Sequence, residues 1–136
     1  MERNFSRDVD SLDAVFDFLA GFLSDSGAPD TGTEHLALIV EELFVNAVRH
    51  SPQGRDVSLG LEREGDSIVI RLTDRGVEPF DILQTPDVDT RLTLDERRRG
   101  GLGLHLVRRL SDSLACEHSG GDTTITVRAP LEAKHV

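Results

Sequence analysis

Apolar residues recur along this chain with two different periods. Leu12, Val15, Phe16, Leu19, Phe22 and Leu23 fall three and four residues apart, which predicts a helix over Leu12–Leu23 with Asp10 or Ser11 as its cap. Ser24-Asp-Ser-Gly-Ala-Pro29 ends it. Leu36-Ala-Leu-Ile-Val40, Leu43, Phe44, Ala47 and Val48 predict a second helix. It is capped by Thr31 or Thr33, runs to about His50 and is stopped by Ser51-Pro52-Gln-Gly54. The period then shortens to two. Val57, Leu59 and Leu61, then Ile68, Ile70 and Leu72, alternate with polar neighbours around Glu64-Gly65-Asp66, as in an antiparallel hairpin. A helical run over Leu104–Leu114 and two strands, near Leu114–Ser119 and Thr123–Ala129 on either side of Gly120-Gly121, complete the pattern. Residues 2–6 predict a short opening strand.

Residues 75–99 follow neither period and carry Gly, two Pro and many charges. A connection of that length in a compact domain is typical of a functional lid. The order β-α-α-β-β-loop-α-β-β sorts helices and strands into layers. It predicts an α+β fold, a two-layer α/β sandwich whose mixed, mostly antiparallel sheet is covered by helices on one face. With 136 residues the chain suits a single domain, residues 1–136.

Polar residues interrupt the second helix in a telling place. Glu42 and Asn46 are four apart and share a helix face, and the stripe extends to Arg49 and His50. Burying such groups without partners is costly, so that side is expected to meet a polar ligand. A carboxylate, an amide able to ligate a metal, and a cation suit a magnesium-phosphate compound. Asp74-Arg-Gly76 ends an apolar strand, where Asp74 can accept a hydrogen bond from an exocyclic amine and Gly76 allows close approach. Gly100-Gly-Leu-Gly103 opens a helix, where unobstructed amides favour phosphate oxygens. Singly, Asp-x-Gly turns and Gly-rich helix starts are common. The second lacks both GxGxxG spacing and the Lys of a P-loop.

Composition narrows the classes. Hydrophobic residues make up 38% and charged residues 29%, as in ordinary globular chains. A net charge of -10 argues against nucleic acid and against anionic membranes as partners. No apolar stretch approaches the roughly 20 residues of a membrane span, and the start lacks the pattern of a signal peptide. The single cysteine, Cys116, permits no internal disulfide and reads as a core thiol, fitting a cytoplasmic location. Five His are dispersed without zinc-ligand spacing.

Taken together and in order, the motifs resemble the GHKL (Bergerat) ATPase superfamily, most closely its bacterial anti-sigma factor serine/threonine kinases. Glu41-Glu-Leu-Phe-Val-Asn-Ala-Val-Arg-His50 resembles the N box of that branch. Asp74-Arg-Gly-Val-Glu-Pro-Phe-Asp81 resembles its G1 box, and Arg99-Gly-Gly-Leu-Gly-Leu-His-Leu-Val107 its G2 box. The likeness runs from about Phe5 to Pro130. Two departures stand out: one additional residue between Gly76 and Phe80, and Asp122 where relatives often carry Gly.

The resemblance implies ATP and magnesium as cofactors and assigns roles residue by residue. Glu42 is the general base and Asn46 the magnesium ligand. Arg49 is a phosphate contact or a solvated cation, and His50 is structural. Asp74 and Gly76 receive adenine. Gly101 and Gly103, with Leu102 and Leu104 beside them, present amides to phosphate. Thr123 is an adenine-side hydroxyl or a plain strand residue. Arg97–Arg99 end the lid, as one γ-phosphate contact or as solvated charge. The implied activity is phosphorylation of a Ser or Thr on a STAS-type anti-anti-sigma partner, with sequestration of a sigma factor, and the resemblance also implies a homodimer. No His precedes His35, so the phosphoacceptor hairpin of a histidine kinase is not expected. The alternative is a binding module on the same fold, with or without nucleotide, that performs no transfer.

Overall fold

The computed structural model describes residues 1–50, 56–75 and 102–133; of His50 and residues 102–104 only the backbone is described. Among the described residues five strands, β1 (Glu2–Phe5), β2 (Val57–Glu64), β3 (Ser67–Asp74), β4 (Ser113–Ser119) and β5 (Asp122–Pro130), form one sheet in the order β1-β2-β3-β5-β4. Every neighbouring pair among them is antiparallel, so the parallel component expected of a mixed sheet is not found among the described strands. Among the described residues three helices accompany the sheet: α1 (Leu12–Asp25), α2 (Glu34–His50) and α3 (Leu102–Leu110).

The period-two pattern decides which way the sheet faces. Leu61, Ile70, Val127 and Leu114 lie side by side across four strands, and Leu59, Leu72, Ile125 and Cys116 form the next row. The strand residues of both rows up to β5 are essentially unexposed and belong to one apolar core with the helices. Leu114 and Cys116, on edge strand β4, are half-buried against it. From α2, Leu36, Ile39, Val40, Leu43, Phe44 and Ala47 enter that core at helical spacing, each at most 2% exposed. Burying side chains of the Leu, Ile, Val and Phe type is worth roughly 1.5–3 kcal/mol each. Phe5 of β1 sets its ring edge-on to Phe18 and Phe44, with centroids 5.8 and 6.4 Å apart, and so ties the first strand to α1 and α2.

Turn chemistry explains the hairpins. Gly120 and Gly121 both have positive φ, 58° and 85°, as a two-residue turn between twisted strands requires. Several element ends differ from expectation. Helix α1 continues to Asp25, and neither Asp10 nor Ser11 caps it through its side chain. A 3-10 turn, Val9–Ser11, precedes it instead, capped by the Asp8 carboxylate, which accepts from the Asp10 amide at 2.9 Å. Helix α3 ends at Leu110 rather than Leu114. There the Asp112 amide turns to the Arg128 carbonyl, 2.7 Å away, and Leu114 joins the sheet.

Candidate nucleotide-type site

The third row across the helix-facing side of the sheet differs from the other two. It runs Phe5, Val57, Asp74, Thr123, His118, and three of its five members are polar. Asp74 is 1% exposed and Thr123 is fully buried. His118 Nδ1 lies 3.0 Å from Thr123 Oγ1, so the Thr123 hydroxyl already has a protein partner. An apolar row here would only have extended the core. The polar row marks the end of the sheet where the chain leaves β3.

Asp74 is bound from a direction the sequence did not suggest. Arg7, in the segment between β1 and α1, gives its Nη2 to Asp74 Oδ1 and its Nη1 to the carbonyl of Ala47 at 2.8 Å. Both side chains of the ion pair are buried, 2% and 1% exposed. Asp74 Oδ2 is buried as well and has no hydrogen-bond partner among the described residues. An orphaned buried acceptor costs about 1–3 kcal/mol, so this atom is suited to a donor from a ligand. The amine of adenine is such a donor.

Ala47 follows Asn46, so Arg7 also brings the last turns of α2 to the end of β3. On α2, Glu42 and Asn46 are half-buried and Arg49 is exposed, on a stripe that flanks the apolar face. The Glu42 carboxyl is raised from its ordinary range, first by burial and then by the neighbouring Glu41 charge, while Arg49 pulls it down. A raised carboxyl in a polar stripe suits a group that exchanges a proton. Helix α3, which carries the predicted phosphate-binding turn, contacts α2, and its Val107 is buried in the common core. Leu102, Gly103 and Leu104 lie in its first turn. Gly76, Gly101, the residue inserted before Phe80 and Arg97–Arg99 fall outside the described residues.

The departure at Asp122 has a structural use. Asp122 lies on the opposite face of the sheet from Thr123, with its Oδ2 3.5 Å from Arg75 Nη1. Arg75 also donates to Ser58 Oγ at 3.1 Å and approaches Glu2 at 3.8 Å, so it laces β1, β2 and β5 on the side away from Asp74. A cavity of about 150 Å³ opens on that same far face, lined by Ser58, Gly60, Glu62, Arg71 and Thr73 among others. It shares no residue with the row that holds Asp74. We place the site by the orphaned carboxylate oxygen rather than by that hollow, whose walls carry no comparable unsatisfied group.

Sequence reasoning missed Arg7 and His118. Arg7 lies in a stretch without periodicity, 67 residues from Asp74. His118 was foreshadowed only by its position opposite Thr123 once the last hairpin is drawn.

Comparison with known proteins shows the family and the fold. The family model of a histidine kinase-like ATPase domain matches residues 5–129. Relatives include the serine-protein kinase RsbW of Bacillus pumilus, 31% identical over 114 residues, which cover 77% of this chain and 70% of the relative. RsbW of Staphylococcus aureus is 30% identical over 113 residues, with the same shares. Among solved structures, the SiaB–SiaC complex of Pseudomonas aeruginosa superposes with a TM-score of 0.62 at 14% identity, over 95% of this chain and 88% of that one. The RsbU and RsbW domains of a Mycobacterium tuberculosis protein give 0.62 at 18% identity; the match covers all (100%) of this chain and 33% of that one. These likenesses establish a shared fold. Among the described residues, no helix is long and apolar enough to cross a membrane.

Proposed function

This chain belongs to the family of histidine kinase-like ATPase domains. From that premise we propose that it is an ATP-binding anti-sigma regulator that phosphorylates a Ser or Thr of a STAS-type anti-anti-sigma partner and works by switching between partners. The observation that carries the reading is Asp74, whose buried Oδ2 has no partner among the described residues and whose Oδ1 is joined through Arg7 to the last turns of α2. The RsbW relatives, named as serine-protein kinases, support the choice of acceptor.

The residues fit the implied cofactors. Asp74 would hold the base through its amine, with Thr123 next to it across the strand pair. Asn46 would contribute a side-chain oxygen to magnesium, and the backbone at Gly101 and Gly103 would meet phosphate. Bound ATP with magnesium supplies an electrophilic phosphoryl group. Glu42, one turn of α2 before Asn46, takes the proton of the acceptor hydroxyl, which its raised carboxyl equips it to do. The sigma factor would be the second partner, sequestered once the STAS partner has been phosphorylated and released.

Titration calorimetry of Mg·ATP into the protein and into Asn46→Ala tests the reading. Magnesium-dependent binding to the wild type, lost in the variant, is expected. No binding to the wild type at millimolar nucleotide would sink it. Labelled ATP with a STAS partner then separates a kinase from a binding module: label on the partner establishes transfer, and nucleotide binding without label leaves only the module.

A further inference from the structure

Arg7 and Asp74 form a buried pair that sequence position alone would not join. Its geometry divides the carboxylate into two unequal oxygens. Oδ1 accepts from Arg7 Nη2, while Arg7 Nη1 is anchored on the Ala47 carbonyl at 2.8 Å. The guanidinium is planar, so two contacts on two elements fix its orientation. Oδ2 is buried and unpartnered among the described residues. Buried ion pairs rarely supply net stability over an apolar filling of the same space, so the pair calls for another use.

We propose that Arg7 is a positioning residue for base selection. It holds Asp74 by one oxygen so that the other faces the ligand as a fixed acceptor, admitting a ring that carries an amine and rejecting one that carries an oxo group there. The proposal rests on the nucleotide-binding reading above and deepens it. The physical basis is that an ionised carboxylate accepts and cannot donate. An oxo group set against it leaves two acceptors facing each other in a buried place, with neither satisfied. Sites built on a hydrogen bond of this kind discriminate strongly against the analogue that cannot make it. Without Arg7 the carboxylate can turn about its own bond and solvate elsewhere, and the discrimination weakens.

The test compares ATP with inosine triphosphate, in which an oxo group replaces the exocyclic amine, by calorimetry on the full chain. The wild type is expected to prefer ATP by on the order of 100-fold, the effect of leaving a buried acceptor unpaired. Arg7→Ala is expected to narrow that preference by about tenfold, and Arg7→Lys, which keeps the charge but lacks the two-pronged fork, to fall between them. Thermal melts of each variant report whether it folds. Asp74→Asn supplies a second arm should Arg7→Ala fail to fold. With Arg7 in place, the amide oxygen takes the Arg7 side and the NH2 group faces the ligand, so the preference inverts toward inosine triphosphate.

A purely structural Arg7 would lower the melting temperature and leave the ratio unchanged, which overturns the proposal. Tighter ATP binding in Arg7→Ala also overturns it, since Arg7 would then compete with the base. Failure of the wild type to bind either nucleotide overturns the functional reading and this inference together. Binding of both with an unaltered ratio in every variant overturns the inference alone.

Discussion

The two faces of α2 follow one helical period and serve different ends. On one face Leu36, Ile39, Val40, Leu43 and Phe44 are fully buried against the sheet and α1. On the adjoining face Glu42, Asn46 and Arg49 stay partly open. At about 100° per residue the polar stripe spans an arc of roughly 60° beside the apolar one. The apolar face therefore holds the polar one in register with the end of β3, and Arg7 closes the joint by bonding both Ala47 and Asp74. A change on either face should act on one property and spare the other.

The largest effect is expected on the polar face. Glu42→Gln keeps the shape of the side chain and removes the base. Phosphoryl transfer to the partner should fall by 10²–10⁴-fold, about 3–5 kcal/mol in the barrier, with ATP affinity and melting temperature nearly unchanged. A labelled-ATP assay beside calorimetry measures both. Full transfer by the variant would remove Glu42 from the mechanism. The opposite experiment acts on the apolar face. Phe44→Ala empties a fully buried ring site and should cost about 3–5 kcal/mol of stability in denaturant titrations. Below the unfolding transition its transfer rate per folded molecule should stay near that of the wild type. A selective loss of transfer would mean that the two faces are coupled.

The contrast between these faces was readable in the sequence because each rests on local spacing. The i, i+3, i+4 positions of α2 and the alternation of β2 and β3 are set by neighbours a few residues away. Such patterns drew the helices, the hairpins and the α+β layers, and put Glu42 and Asn46 on one stripe. They misled at α3, where Leu104, Val107, Leu110 and Leu114 continue a helical spacing across the point at which the backbone turns into β4. Ser111 and Asp112 end the helix because the Asp112 amide finds its partner on β5, a bond that local spacing cannot show. The same limit hid Arg7. A lone Arg in an aperiodic segment reads as solvated charge, yet it is buried on a carboxylate from another strand. The polar row Asp74, Thr123, His118 likewise exists only once the sheet order places β5 between β3 and β4.

The smallest effect, and the finest test of the polar face, concerns the proton on Glu42. Its carboxyl is raised by burial first and by Glu41 second, against the lowering pull of Arg49. A base must be ionised to act, so transfer should increase as pH rises through the raised value, placing the acid limb of the rate profile above the ordinary glutamate range. Stability runs the other way. Between the ordinary and the raised value the folded chain binds more protons than the unfolded one, so this group's contribution to stability declines as pH rises through that window. Arg49→Ala removes the lowering influence and should move the acid limb to higher pH, whereas Glu41→Gln removes a raising one and should move it lower. Arg49 is exposed, so salt should weaken its effect. Rate profiles of the two variants at low and high ionic strength measure these displacements. If both limbs coincide with that of the wild type, the titrating group behind the profile is one other than Glu42. Displacement in opposite directions ties the proton to the polar face of α2.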